Sequence, residues 1–193
     1  MRIPAADRAA GCLSPRCPQV SGPGCGLTGG GVKLLSRTLL DELVAKAAAS
    51  PRARAHHNLH AGPEDPVQRF VVAACANSYF RPHRHAARSE LAVIVRGRFD
   101  VLTFDAAGRV TARYELGDGT GAIAYETPPA AWHTLVPGPE GGAFLEIKQG
   151  PYDPATSSEF ADWAPAEGHA AVPGFLEWLR RAQPGDTPPG RAV

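Results

Sequence analysis

At 193 residues with a formal net charge of +1, the chain has the size of one domain with an adequate core. Its basic residues are nearly all arginine and are scattered, so no basic face is expected for nucleic acid and no bulk field for an anionic membrane. No run of some 20 apolar residues is available to span a bilayer, and no N-terminal apolar stretch is long enough for a signal peptide, which makes a cytoplasmic protein the default expectation.

Residues 1–32 are rich in Gly, Pro and Ser and end on Gly29-Gly30-Gly31. They lack a hydrophobic period, and Cys12, Cys17 and Cys25 fit no common zinc spacing. This part is expected to be a disordered extension, or upstream sequence read past a true start at Val32. A folded domain is expected over 33–182. Ser36 is placed to cap a helix over 36–50, with Leu39, Leu40, Leu43, Val44 and Ala47 on one stripe and Pro51 as the stop. That stripe should pack on the outside of a sheet. A polar connection with His56, His57, Asn58 and His60 follows and is expected to be a surface loop; His60, beside the apolar Leu59, is its best candidate for a functional role.

From about residue 67 to 150 the pattern is one of short strands: 67–75, 79–85, 90–95, 98–104, 109–116, 121–126, 132–136 and 143–148. Gly97, Asp105 to Gly108, Gly117-Asp118-Gly119 and Pro137 to Gly142 are assigned as the turns. Short strands at this spacing predict a mainly β protein, an antiparallel jelly-roll barrel or sandwich. Cys75 is expected in the core. Both faces of Leu91 to Val95 are apolar, so the outer face needs cover from the helix or from a second subunit. Residues 151–182 are irregular, with Phe160 and Trp163 as anchors and a short helix from Pro173 to about Arg181; 183–193 should fray.

The chemistry concentrates in His83, His85 and Glu90, joined by His133 from a later strand. Residues two apart on a strand face the same way, so His83 and His85 can grip one ion. Three imidazoles and a carboxylate form a ligand set for one divalent transition metal: iron, manganese, nickel or zinc. Arg81 shares the parity of the two histidines and is a candidate to hold a substrate carboxylate or phosphate. Glu146 and Lys148 share a strand face; either is a candidate to act on substrate as acid, base or anchor, and the alternative is an ordinary cross-strand ion pair. No catalytic acid or base identifies itself, and Tyr125 and Trp132 are read as packing aromatics.

The spacing His-x-His, four residues, Glu, six residues, Gly from His83 to Gly97 resembles the first motif of the cupin superfamily. Asn77 stands where that motif begins with Gly. The second motif is partly kept, with Pro128 and His133 in register but Ala130 in place of Gly and Pro137 in place of Asn. At a finer level the chain resembles WbuC-type cupin-fold metalloproteins, through Leu39 to Leu43, Asn58-Leu59-His60, Asp65 to Arg69, Arg81 to His85, Trp132 to Leu135, Lys148 to Pro154 and Trp163 to Pro165. The resemblance implies a cupin-type barrel with an N-terminal and a short C-terminal helix, and metal held by His83, His85, Glu90 and His133. It further implies a homodimer, and a sugar, nucleotide-sugar or oxyacid ligand linked to surface-polysaccharide chemistry. A metal-dependent isomerase, lyase or oxygenase fits this ligand set; the alternative is a non-catalytic, metal-containing binding or accessory protein.

Overall fold

Ser36 Oγ accepts the Leu39 N–H at 3.1 Å, satisfying one of the unpaired donors at the start of helix α1, Arg37–Ala49. Leu40, Leu43 and Ala47 are its buried face, as the apolar stripe predicts. They pack on Val71, Ala73 and Ala143, the outer face of a sheet, where each leucine contributes about 2 kcal/mol by the area it buries. The structure, a computed structural model, describes residues 31–190. The expectations for residues 1–30, including Cys12, Cys17 and Cys25, lie outside the described residues.

Eight antiparallel strands follow: β1 Arg54–Asn58, β2 Val67–Ala74, β3 His83–Arg84, β4 Glu90–Phe104, β5 Val110–Gly117, β6 Ala124–Thr127, β7 Trp132–Gln149 and β8 Glu159–Phe160. Helix α2, Val172–Arg181, comes last. Strands β4 and β7 pair along their whole length, from Glu90 opposite Lys148 to Phe104 opposite Trp132. Their first and second halves belong to different sheets. One sheet runs β1, β2, the end of β7, the start of β4, β6; the other runs β5, the end of β4, the start of β7, β3, β8. This is a jelly-roll barrel, the architecture the cupin resemblance implies.

Val72, Ala92, Ile94, Phe99, Val101, Leu116, Leu135 and Phe144 fill the space between the sheets. Helix α2 covers the outside of the second sheet, setting Phe175, Leu176 and Leu179 on Leu102, Phe104 and Val136. Each sheet therefore has one helix on its outer face. No described helix is long and apolar enough to cross a membrane.

Several expected boundaries are corrected. Gly97 is not a hairpin turn, because β4 runs straight through it. With φ +71° it forms a bulge at the corner between the sheets, flanked by register shifts at Ile94/Arg96 and Gly97/Phe99. A Cβ there would fall on the Gly141 carbonyl oxygen and 2.9 Å from Gly142 Cα, so only glycine allows the strands this close. Pro137 to Gly142 likewise does not close a hairpin but lies inside β7 at the same corner.

The expected strand 79–85 shrinks to His83–Arg84, since Tyr79 turns under α2 and Pro82 has no N–H to give a ladder. The polar connection after α1 contains β1, an edge strand pairing Arg54 with Ala74 through Asn58 with Phe70. Fraying does not begin at 183: Val110 donates to the Asp186 carbonyl at 2.9 Å, and Gly185 donates to the Val110 carbonyl at 2.8 Å.

Candidate functional site

The barrel brings His133 to the neighbouring trio His83, His85 and Glu90. His83 sits on β3 and His133 directly opposite it on β7; His85 follows β3, and Glu90 opens β4. Each offers one ligand atom, and these atoms all lie within 4.8 Å of one another. His85, Glu90 and His133 are buried, while His83 is half-buried.

The outer nitrogen of every imidazole is held by a main-chain carbonyl. His83 Nδ1 lies 3.0 Å from the Arg81 oxygen, His85 Nδ1 2.5 Å from that of Ser157, and His133 Nδ1 2.9 Å from that of Ala131. A carbonyl only accepts, so each Nδ1 is placed to donate its proton there, which turns each Nε2 toward the cluster. His85 Nε2 lies 2.7 Å from Glu90 Oε2, and His133 Nε2 lies 3.4 Å from Glu90 Oε1. At that distance and angle His133 Nε2 has no hydrogen bond, although it is buried. An orphaned buried nitrogen facing a carboxylate is the arrangement that a shared cation would satisfy.

Burial, followed by the neighbouring His133, pushes His83 down to about 3, so its ring is neutral and able to donate a lone pair. For Glu90, burial alone would raise the carboxyl. The contacts with His133 and His85 and the charge of Lys148 outweigh it and hold the group well below its ordinary range. Glu90 is thus an anion in a buried place.

The sequence candidates Glu146 and Lys148 lie beside this cluster, on the inner face of β7. Lys148 Nζ is 2.5 Å from Glu146 Oε1 on its own strand and 3.4 Å from Glu90 Oε2 across the β4–β7 ladder, so the cross-strand pair is joined by a closer contact within β7. Burial, then the charge of Glu90, pushes Glu146 up to about 8. For Lys148 burial acts downward, but Glu146 and Glu90 outweigh it and raise the ammonium. Tyr125 belongs to this neighbourhood too: burial and then the charges of Glu90 and Glu146 raise its phenol well above the ordinary value, and its buried hydroxyl has no partner.

A cavity of about 490 Å³ adjoins the cluster. His83, Arg81, Glu146 and Lys148 line it, so the three substrate-binding candidates share one cavity with one metal-ligand candidate. Its other polar wall was not expected: Arg54, His56 and Asn58 project from β1, and Glu167 arrives from the segment before α2. Glu167 accepts from Arg52 Nε at 2.7 Å and from Arg54, tying that segment across β1. The alternation Arg54, His56, Asn58 was the available signal for the β1 residues, while nothing local in the sequence points to Glu167. His60 also lines the cavity, but its Nδ1 accepts the Arg69 N–H at 3.0 Å, a main-chain role.

A family model described as a domain of unknown function (DUF6016) matches residues 35–116, less than half of the chain. No curated protein matches the chain. Among solved structures it is similar to KdgF from Halomonas sp., with 16% identity over 55% of this chain and 84% of that one, TM-score 0.42. It is similar to a conserved protein with a double-stranded beta-helix domain from Klebsiella pneumoniae, with 16% identity over 68% of this chain and 99% of that one, TM-score 0.48. The DMSP lyase DddQ from Ruegeria pomeroyi is 19% identical over 59% of this chain, which spans 54% of DddQ, TM-score 0.45. The jelly-roll assignment rests on the strand pairing described above.

Proposed function

We propose that this chain is a metal-binding cupin-fold protein that holds one divalent transition metal ion on His83, His85, Glu90 and His133. In this reading it is a metal-dependent enzyme on a small, oxygen-rich molecule. The observation that carries it is the orientation of the three imidazoles: all three Nδ1 atoms are engaged by main-chain carbonyls, so all three Nε2 atoms converge with the Glu90 carboxylate. Neutral imidazoles and one carboxylate leave a divalent ion with residual positive charge, suited to an oxygen ligand. When bound, such an ion supplies Lewis acidity to a substrate oxygen.

The chain's own residues supply the rest. Lys148 bridges Glu90 and Glu146, holding Glu90 ionised and fixing its direction. Glu146 lines the cavity and is the carboxyl placed to exchange a proton with a bound molecule. The phenyl rings of Phe70 and Phe80 give the cavity an apolar wall against which the body of the molecule can rest. The resemblance to WbuC-type proteins supports a sugar-like or oxyacid substrate in surface-polysaccharide chemistry, in the cytoplasm. The half-buried Leu91 and Val93 on the outer face of β4 support a homodimer.

The test is elemental analysis of untagged protein purified without chelator, beside the His83→Ala/His133→Ala variant. The wild type is expected to carry close to one equivalent of iron, manganese, nickel or zinc, and the variant none. Equal metal in both, or a wild type that stays metal-free after anaerobic reconstitution, would refute the reading.

A further inference from the structure

Four cationic side chains, Arg52, Arg54, Arg81 and Lys148, line the cavity against two carboxylates, Glu146 and Glu167. Three of the four cations are already compensated. Arg52 and Arg54 share Glu167, and Lys148 is held by Glu146 and Glu90. Arg81 is different. One terminal nitrogen donates to the Ala161 carbonyl at 2.7 Å, its Nε is buried without a hydrogen-bond partner, and its guanidinium lies 5.4 Å from the centre of the Phe160 ring. Among the described residues it forms no ion pair. The side chain is half-buried at the cavity wall, and its buried Nε–H has no protein acceptor, a donor that an anion in the cavity could use.

Its position matters as much as its charge. Arg81 and His83 both line the cavity, and the Arg81 carbonyl is the group that holds His83 Nδ1. An anion on Arg81 would therefore sit immediately beside the one metal-ligand candidate that faces the cavity. The planar guanidinium fork matches a carboxylate. Around it, Phe70, Phe80 and Phe160 offer apolar contact to a carbon skeleton, and His56 and Asn58 offer hydrogen bonds to hydroxyl groups. A volume of about 490 Å³ accommodates a molecule of sugar-acid size.

We infer that the cavity is a binding site for a small polyhydroxy carboxylate, with the carboxylate on Arg81 and a neighbouring oxygen turned toward the metal position at His83. Arg81 is the specificity-determining residue of this site: it selects an acid over the corresponding neutral polyol. Only the second half, the oxygen turned toward the metal, rests on the proposed function; the carboxylate preference needs no metal.

The test is calorimetric binding to the full chain of matched probes that differ by one carboxylate: glucuronate against glucose, gluconate against glucitol, and glycerate against glycerol. Glucose 6-phosphate is added to separate a carboxylate site from a phosphate site. The wild type should bind at least one acid about 10-fold or more tightly than its neutral partner, the range expected for hydrogen bonds to a charged group. Arg81→Gln should abolish that preference, and Arg81→Lys should retain only part of it, with unchanged circular dichroism for both. In His83→Ala/His133→Ala the acid should bind more weakly but still better than its neutral partner. Loss of the preference in that variant while Arg81→Gln keeps it would overturn the assignment to Arg81 and leave metal coordination as its source. Tighter binding of glucose 6-phosphate than of every carboxylate would overturn the carboxylate class. No preference for the acid in any pair would overturn the inference outright.

Discussion

Ala130 stands where the second cupin motif has glycine, and its φ of +63° is in the left-handed region. Holding a non-glycine residue there costs about 1–2 kcal/mol. Glycine relieves that cost but loses more chain entropy on folding, which takes back about 0.5–1 kcal/mol. Ala130 is exposed, so its methyl contributes no burial to offset the exchange. Ala130→Gly is therefore expected to stabilise the protein by about 0.5–1 kcal/mol, or about 1–4 °C in Tm for a chain of this size. Ala53, with φ +52°, is the control, because it is 8% exposed. Ala53→Gly gains the same backbone relief but loses a buried methyl worth about 0.8 kcal/mol, for a net change near zero. Urea denaturation and calorimetry on both variants give the answer. The site should be indifferent to Ala130→Gly, because the N–H that donates to the His85 carbonyl at 2.7 Å is kept. A neutral or destabilising Ala130→Gly, or an Ala53→Gly that stabilises more, would refute the argument from backbone strain.

Three further outcomes are expected. Chelator should lower the Tm of the metal-loaded wild type and leave His83→Ala/His133→Ala unmoved, because a ligand bound only to the native state stabilises it by mass action; equal shifts by differential scanning fluorimetry would contradict this. Glu167 has its carboxyl lowered, with burial acting upward but outweighed by Arg52 and Arg54, so the stability it provides is present above the ordinary glutamate value of 4.5 and lost as pH falls below it. Glu167→Gln should accordingly cost about 1 kcal/mol at pH 7, after allowance for partial exposure, and the gap to wild type should close in acid, as urea titrations at several pH values would show. Gly97→Ala should destabilise by about 2–4 kcal/mol, through the positive φ and the overlap with Gly141, read from the same denaturation curves.

Three members of the candidate cluster were legible because they depend on local parity: His83 and His85 face one way, and Glu90 starts the next strand. Helix α1 was legible because a side-chain cap and an apolar stripe are both local signals. The corner was not. Gly97 and the run Pro137 to Gly142 carry the composition of turns, and composition cannot separate a reversal from a bulge inside one long strand. Strand β1 was missed for a different reason. Its inner positions Arg54, His56 and Asn58 line a cavity rather than the core, so the alternation of apolar and polar residues that marks a strand is absent. Arg52, Arg54 and Glu167 meet across more than a hundred residues, and nothing near either end predicts the other.

The corner and the cluster are one problem. In the β4–β7 ladder His133 pairs with Thr103 and Lys148 pairs with Glu90, at opposite ends of β4. A straight strand would put Glu90 and Thr103 about 43 Å apart at 3.3 Å per residue. Yet His133 Nε2 is 3.4 Å from Glu90 Oε1. Only a paired ribbon that curls back on itself can close that distance, and the ribbon curls where Gly97 and Gly142 pass without side chains. The glycine that ends the first motif is then a structural requirement of the site rather than a ligand. Gly97→Ala should for this reason lower metal content together with stability, whereas an equally destabilising Leu43→Ala beneath α1 should leave the metal stoichiometry of the folded fraction intact. Equal metal loss in both variants would show that the cluster responds to global stability, and that the corner has no special claim on it.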